Sequence, residues 1–97
     1  MFEKMGYFEV AEKISKEFNV DTVVQFSHGH IFSMGVKHPY SIEGAKDVFK
    51  LIDFLKVNSK KVCTKGGTTG YFLNDDVLFF ITNELIEDAK TTIELFS

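Results

Sequence analysis

The chain has 97 residues, a length that is enough for one packed core. Of these residues 44% are hydrophobic and 26% charged, a composition that excludes a disordered segment. Its 11 basic residues are all lysines, and its 14 acidic residues give a net charge of -3. This balance excludes a general attraction to nucleic acid or to an anionic membrane, and the absence of arginine excludes an arginine finger.

The cysteine content and the N-terminus indicate the compartment. The single cysteine, Cys63, excludes an internal disulfide and is typical of a reducing environment. Residues Met1–Gly6 lack the long apolar core of a signal peptide, and no stretch has the length of a membrane span. We therefore expect a cytoplasmic protein in which residues 1–97 form a single domain.

The first part of the chain predicts a helix followed by a β-hairpin. Apolar residues recur every three or four positions and place the helix at Met5–Phe18. Two runs of β-forming residues follow at Thr22–Ser27 and His30–Val36. The His28-Gly29 pair between them predicts a tight turn, because glycine readily adopts positive φ.

The middle of the chain predicts a second helix with one unexpected aromatic residue. Ser41 is its predicted N-terminal cap, and apolar residues from Ala45 to Leu55 form one broad arc on its surface. Phe54 lies outside this arc, among charged positions that should face water. A large ring there indicates an interface, where its burial would gain roughly 1.5–3 kcal/mol.

A second hairpin is predicted after this helix. The pattern of residues predicts strands at Lys60–Lys65 and Thr69–Leu73, with a turn at Gly66-Gly67 between them. Lysines at such positions are typical of an exposed edge strand, where charge blocks unwanted pairing with other chains.

The last part predicts a central strand and a final helix. Asn74-Asp75-Asp76 predicts a tight turn, and the short apolar run Val77–Thr82 predicts a strand buried on both faces. The amphipathic run Leu85–Phe96 predicts the final helix, with Asn83 as its cap.

The predicted order α-β-β-α-β-β-β-α and two segments resemble the Roadblock/LC7 family. Val23–Ser33 is similar to that family's first hairpin, and Asp76–Ile81 with the helix after it is similar to its last strand and helix. The resemblance implies an α+β fold with a five-stranded antiparallel sheet, the last strand in its middle, and helices on both faces. It also implies a dimer formed through the second helix and third strand, and a small Ras-like GTPase as partner. A profilin-like or longin-like domain of the same element order is the alternative.

No group of residues predicts a metal, a cofactor or a catalytic centre. The plausible metal ligands are His28, His30, His38 and Cys63. Because His28 is predicted in a turn and His30 at the start of a strand, their spacing does not guarantee that the two side chains share a direction. Cys63 lacks a positioned base, and Lys65–Gly70 lacks the Gly-Lys-Ser/Thr ending of a phosphate-binding loop.

The favoured hypothesis is a non-enzymatic, homodimeric adaptor or regulatory protein-interaction module. Its partner would be a protein such as a small Ras-like GTPase, with no nucleic acid and no membrane. The predicted interface residues are Leu51, Phe54, Lys61 and Cys63. Two hypotheses from other classes stay open: an inhibitor encoded by a phage or mobile element that blocks a host protein, and a small metal- or thiol-dependent enzyme.

Overall fold

The structure, a computed structural model, describes residues 2–28 and 31–96, with the backbone alone at 24–28 and 31. Within these residues the chain forms three helices and five strands in the predicted order, which confirms the α+β class. The elements are α1 (Tyr7–Glu17), β1 (Thr22–His28), β2 (Ile31–Val36), α2 (Ile42–Asn58), β3 (Lys61–Lys65), β4 (Thr68–Phe72), β5 (Val77–Thr82) and α3 (Asn83–Phe96).

The two predicted hairpin turns have different outcomes. The turn at Gly66-Gly67 is confirmed, because both residues have positive φ, 57° and 78°, as a tight two-residue hairpin requires. The first turn was predicted at His28-Gly29, but β1 continues through His28. Gly29 and His30 lie outside the described residues.

One of the two predicted helix caps is confirmed. The Ser41 hydroxyl accepts a hydrogen bond from the Gly44 N–H at 3.0 Å and caps α2. At α3 the prediction of Asn83 as the cap is wrong, because the Leu85 N–H donates to the Thr82 hydroxyl at 3.1 Å. Thr82 ends β5, so the strand passes into the helix without an intervening loop.

The sheet has the strand order β1-β2-β5-β4-β3, which places β5 in the middle as predicted. Three of its pairs are antiparallel, but β2 and β5 run parallel, so the prediction of a fully antiparallel sheet is wrong. The reason is topological. Because β1 and β2 run in opposite directions, β1 beside β5 would have made the junction antiparallel, whereas β2 makes it parallel.

The two faces of β5 differ in burial. Val77, Phe79 and Ile81 are buried, whereas the alternating residues Leu78 and Phe80 are only partly buried. The prediction of burial on both faces is therefore correct for one face only. We call the side that carries Val77, Phe79 and Ile81 the core face, and the side that carries Leu78 and Phe80 the open face.

All three helices contribute to a single hydrophobic core with the core face of the sheet. This differs from the predicted placement of helices on both faces. The buried helical residues of the core are Val10, Ile14, Ala45, Val48, Leu51, Ile52, Leu55, Leu85 and Ala89. The apolar surfaces of the helices meet one another. Helix α2 packs against α3, and its Phe54 ring contacts Phe18 at the end of α1.

Asn74 ties the N-terminal segment to the start of the central strand. Its buried amide donates to the carbonyl oxygens of Phe2 and Met5 at 2.9 and 3.0 Å. Its side-chain oxygen accepts hydrogen bonds from the N–H groups of Asp76 and Val77 at 2.8 and 3.0 Å. The predicted turn at residues 74–76 is thus also the anchor for the start of the chain.

Candidate interaction surface

Of the four predicted interface residues, one belongs to the protein's own core and one packs against it. Leu51 is 0% exposed and has no surface to offer a partner. The Phe54 ring is partly buried and lies edge-on to Phe2 and Phe18, with ring centroids 5.9 and 5.2 Å apart. Phe54 therefore has the intramolecular partners that its position on the helical wheel did not indicate. The contacts with Phe2 and Phe18 account for this partly buried ring without a partner protein.

The other two residues, Lys61 and Cys63, lie on β3 at the end of the sheet, where every residue of the strand is exposed. Cys63 pairs with Gly70 on β4, and Gly70 pairs with Phe80 on β5. Directly paired residues point to the same side of a sheet, so Cys63 belongs to the open face. Lys61, two residues before Cys63, shares this face because side chains alternate along a strand.

The open face is apolar across β4 and β5. Phe72 and Leu78 are partly buried and directly paired across β4 and β5, and neither belongs to the hydrophobic core. Leu78 and Phe80 lie over Gly70, since a Cβ added there would be 3.0 Å from Leu78 Cδ1 and 3.4 Å from Phe80 Cε1. At the margin, Lys61 Nζ lies 5.7 Å from the centroid of the Phe72 ring.

The charged residues are divided between the sheet and the rest of the protein. None of the 14 acidic residues falls within the strands as the structure bounds them. The lysines of these strands are Lys61 and Lys65, both on β3. The helices and turns carry the carboxylates, so the described side chains of the open face combine apolar groups with a positive margin and include no acidic residue.

The backbone of β3 offers hydrogen-bonding groups at its outer edge. Lys65 and Thr68 flank the two-residue turn and close the hairpin as its first bonded pair. Because bonding alternates along an antiparallel pair, the N–H and C=O groups of Val62 and Thr64 point away from β4. The Val62 side chain is 49% exposed.

A group of possible metal ligands forms elsewhere, from residues that the sequence did not bring together. His38 Nδ1 bonds to Asp88 Oδ2, and one donor atom each from His38, Glu84 and Asp88 lie within 4.8 Å of one another. In the sequence, the four-residue spacing of Glu84 and Asp88 on α3 indicated that these two side chains lie close together. His38 and Asp88 are 50 positions apart, so no local pattern connects His38 to them. All three residues are exposed. We interpret the group as a hydrogen-bonded cluster on the surface and assign it no ligand.

A cavity of about 490 Å³ opens where the N-terminus meets the turn between β4 and β5. Among its lining residues are Phe2, Lys60, Asn74 and Asp75. Its polar groups already have partners: the Asn74 amide holds the N-terminal carbonyls, and Lys60 Nζ pairs with Asp75 at 2.5 Å. The cavity walls are thus engaged in structural contacts.

None of the helices in residues 2–28 and 31–96 is both long enough and apolar enough to cross a membrane. No family model, curated protein or solved structure matches the chain.

Proposed function

We propose that the protein is a non-enzymatic protein-interaction module that forms a homodimer through the open face of its sheet. The observation that carries this proposal is the position of Phe72 and Leu78. They are apolar, only partly buried and separate from the core to which all three helices contribute. Covering them with a second copy would remove the remaining apolar surface from water, which favours association.

The size of the open face sets the expected affinity. Strands about 4.8 Å apart, with residues rising about 3.3 Å each, make a face of roughly 20 by 20 Å. Two such faces stacked about 10 Å apart would bury on the order of 800 Å² in total, which is at the small end for protein interfaces. We therefore expect a reversible dimer with a dissociation constant in the micromolar range.

The charge distribution is compatible with a second copy as the occupant. Lys61 and Lys65 occupy one margin of the sheet, so a two-fold contact centred on β5 would keep them at the rim in both copies. Charged residues at the rim around an apolar centre are the usual arrangement in protein interfaces.

The resemblance to the Roadblock/LC7 family adds a small Ras-like GTPase as a proposed further partner. The parallel β2–β5 pair departs from the antiparallel sheet that this resemblance implies. Because the chain has no arginine, any effect on GTP hydrolysis would have to rearrange the GTPase's own groups. Repeated affinity purification from the native cell that never recovers a GTPase would argue against this partner.

The dimer is tested by static light scattering of the wild type and of Leu78→Lys over a range of concentrations from about 1 µM upward. We expect a concentration-dependent dimer for the wild type and a folded monomer for Leu78→Lys. Val57→Lys is the matched control, because Val57 is 83% exposed on the helical layer and the same charge is added there. A wild type that stays monomeric throughout would rule out the dimer, and a dimeric Leu78→Lys would rule out this face.

A further inference from the structure

The outer edge of β3 has the geometry that accepts another strand. β3 pairs with β4 over its full length in continuous register, and its five residues are all exposed. The backbone groups of Val62 and Thr64 point outward, and the strand contains no proline that would remove a donor. Such an edge recognises an extended segment through main-chain hydrogen bonds, while pockets or charges beside it select the side chains.

The charges along this edge select the segment. Lys60 pairs with Asp75, whereas Lys61 and Lys65 form no ion pair within the described part of the chain, and Lys61 Nζ lies over the Phe72 ring. Lys61 and Lys65 lie four residues apart on the open face, roughly 13 Å along the strand. Carboxylates with the same spacing on an added antiparallel strand would stand directly opposite them, at about 5 Å between Cβ atoms.

From these features we infer that β3 binds an extended, acidic segment of a partner protein as a sixth strand. The segment carries Asp or Glu at positions i and i+4, facing Lys65 and Lys61. A small residue at i+2 faces Cys63, and a β-branched apolar residue lies opposite the exposed Val62. This inference rests on the proposed role as an interaction module and names a partner for an edge beside the dimer face.

A second copy of the chain is a poorer occupant of the same edge. Two β3 strands paired antiparallel about Cys63 would place Lys61 of each copy opposite Lys65 of the other. Like charges in directly opposed positions destabilise a sheet. An acidic segment reverses the sign of both contacts and leaves the backbone hydrogen bonds unchanged.

The test uses fluorescein-labelled peptides of about nine residues and fluorescence anisotropy. The acidic peptide carries Glu at i and i+4, valine at i+1 and i+3, and a small residue at i+2. One control peptide has the same composition with the two Glu adjacent, and the other has proline at a position that must donate a backbone hydrogen bond. We expect the acidic peptide to bind about tenfold more tightly than either control. Equal binding of all three peptides would overturn the inference.

The matched protein variants are Lys61→Glu/Lys65→Glu and Lys46→Glu/Lys56→Glu, which change the net charge by the same amount. We expect the β3 variant to lose at least about tenfold in affinity and to bind a peptide with Lys at i and i+4. The α2 variant should bind like the wild type. Equal losses in the two variants would show non-specific charge attraction and would overturn the inference.

Two further measurements separate this site from the proposed dimer. In amide exchange, the peptide should protect the N–H groups of Val62 and Thr64 in both the wild type and Leu78→Lys. In light scattering, the peptide should leave a wild-type dimer intact. A peptide that dissociates the dimer would show that a second copy occupies the edge of β3, and this result would overturn the inference. A monomeric wild type that binds the peptide would reject only the proposed dimer.

Discussion

The two faces of the sheet contrast most clearly at adjacent residues of the same type. Phe79 is 0% exposed within the core, whereas Phe80, its neighbour in sequence, points to the open face and is partly buried. Both belong to one unbroken apolar strand. The comparison shows that apolar content predicted the strand but not how each of its faces would be covered.

The difference follows from the number of helices and the direction of their apolar arcs. Three helices, each about 10 Å wide, are enough to cover one face of a sheet roughly 20 Å across, but not two. The one large ring outside the arc of α2, Phe54, turns to Phe2 and Phe18 and strengthens the same layer. No helix of the described chain therefore remains for the open face.

The largest effect should come from removing a ring on the core face. We expect Phe79→Ala to lower the free energy of unfolding by about 3–5 kcal/mol, because it leaves a cavity in close-packed surroundings. Leu78→Ala on the open face should cost only about 1 kcal/mol in the monomer. Urea unfolding at low protein concentration measures both. Similar losses for the two variants would mean that the open face is as well covered as the core face.

An intermediate effect is expected at alkaline pH. Burial raises the pKa of Tyr71, which pairs with Phe79 on the core face, above 10.0. The unfolded chain then loses this proton at lower pH than the folded protein. The free energy of unfolding should therefore be fully retained below about pH 10 and should fall as the pH rises through the higher pKa of the folded state.

Two variants assign this alkaline loss to the core face. In urea unfolding at several pH values, Tyr71→Phe should make the decline shallower, whereas Tyr40→Phe, at an exposed position, should leave it unchanged. A decline that is as steep in Tyr71→Phe as in the wild type would show that Tyr71 is not its source.

The smallest effect is expected at Gly70 on the open face. A new Cβ there would be 3.0 Å from the Leu78 Cδ1 methyl, which is the end of a flexible side chain on a partly exposed surface. Leu78 can rotate away, so Gly70→Ala should change the free energy of unfolding by less than about 1 kcal/mol. The core control, Ala45→Val, should cost about 1–3 kcal/mol by overpacking. A loss above about 2 kcal/mol for Gly70→Ala would show that the open face is tightly packed.

The candidate surface could be predicted from sequence only in part. The lysines of residues 60–65 correctly indicated an edge strand, because exposed edges commonly carry such charges. Phe54 was misleading, since a helical wheel shows a residue's direction but not which other segment lies beside it. The contacts of Phe54 with Phe2 and Phe18 join residues that are distant in the chain, and no local pattern contains them.

Local signals in the sequence were sufficient for the order of the elements, the Gly66-Gly67 turn and the Ser41 cap. Each of these depends on residues a few positions apart, whose propensities and hydrogen bonds act within one segment. Only the tertiary structure decided that β2 rather than β1 lies beside β5, and that all three helices share the core face. Those outcomes depend on how distant apolar arcs pack together, a global balance of burial that local periodicity does not encode.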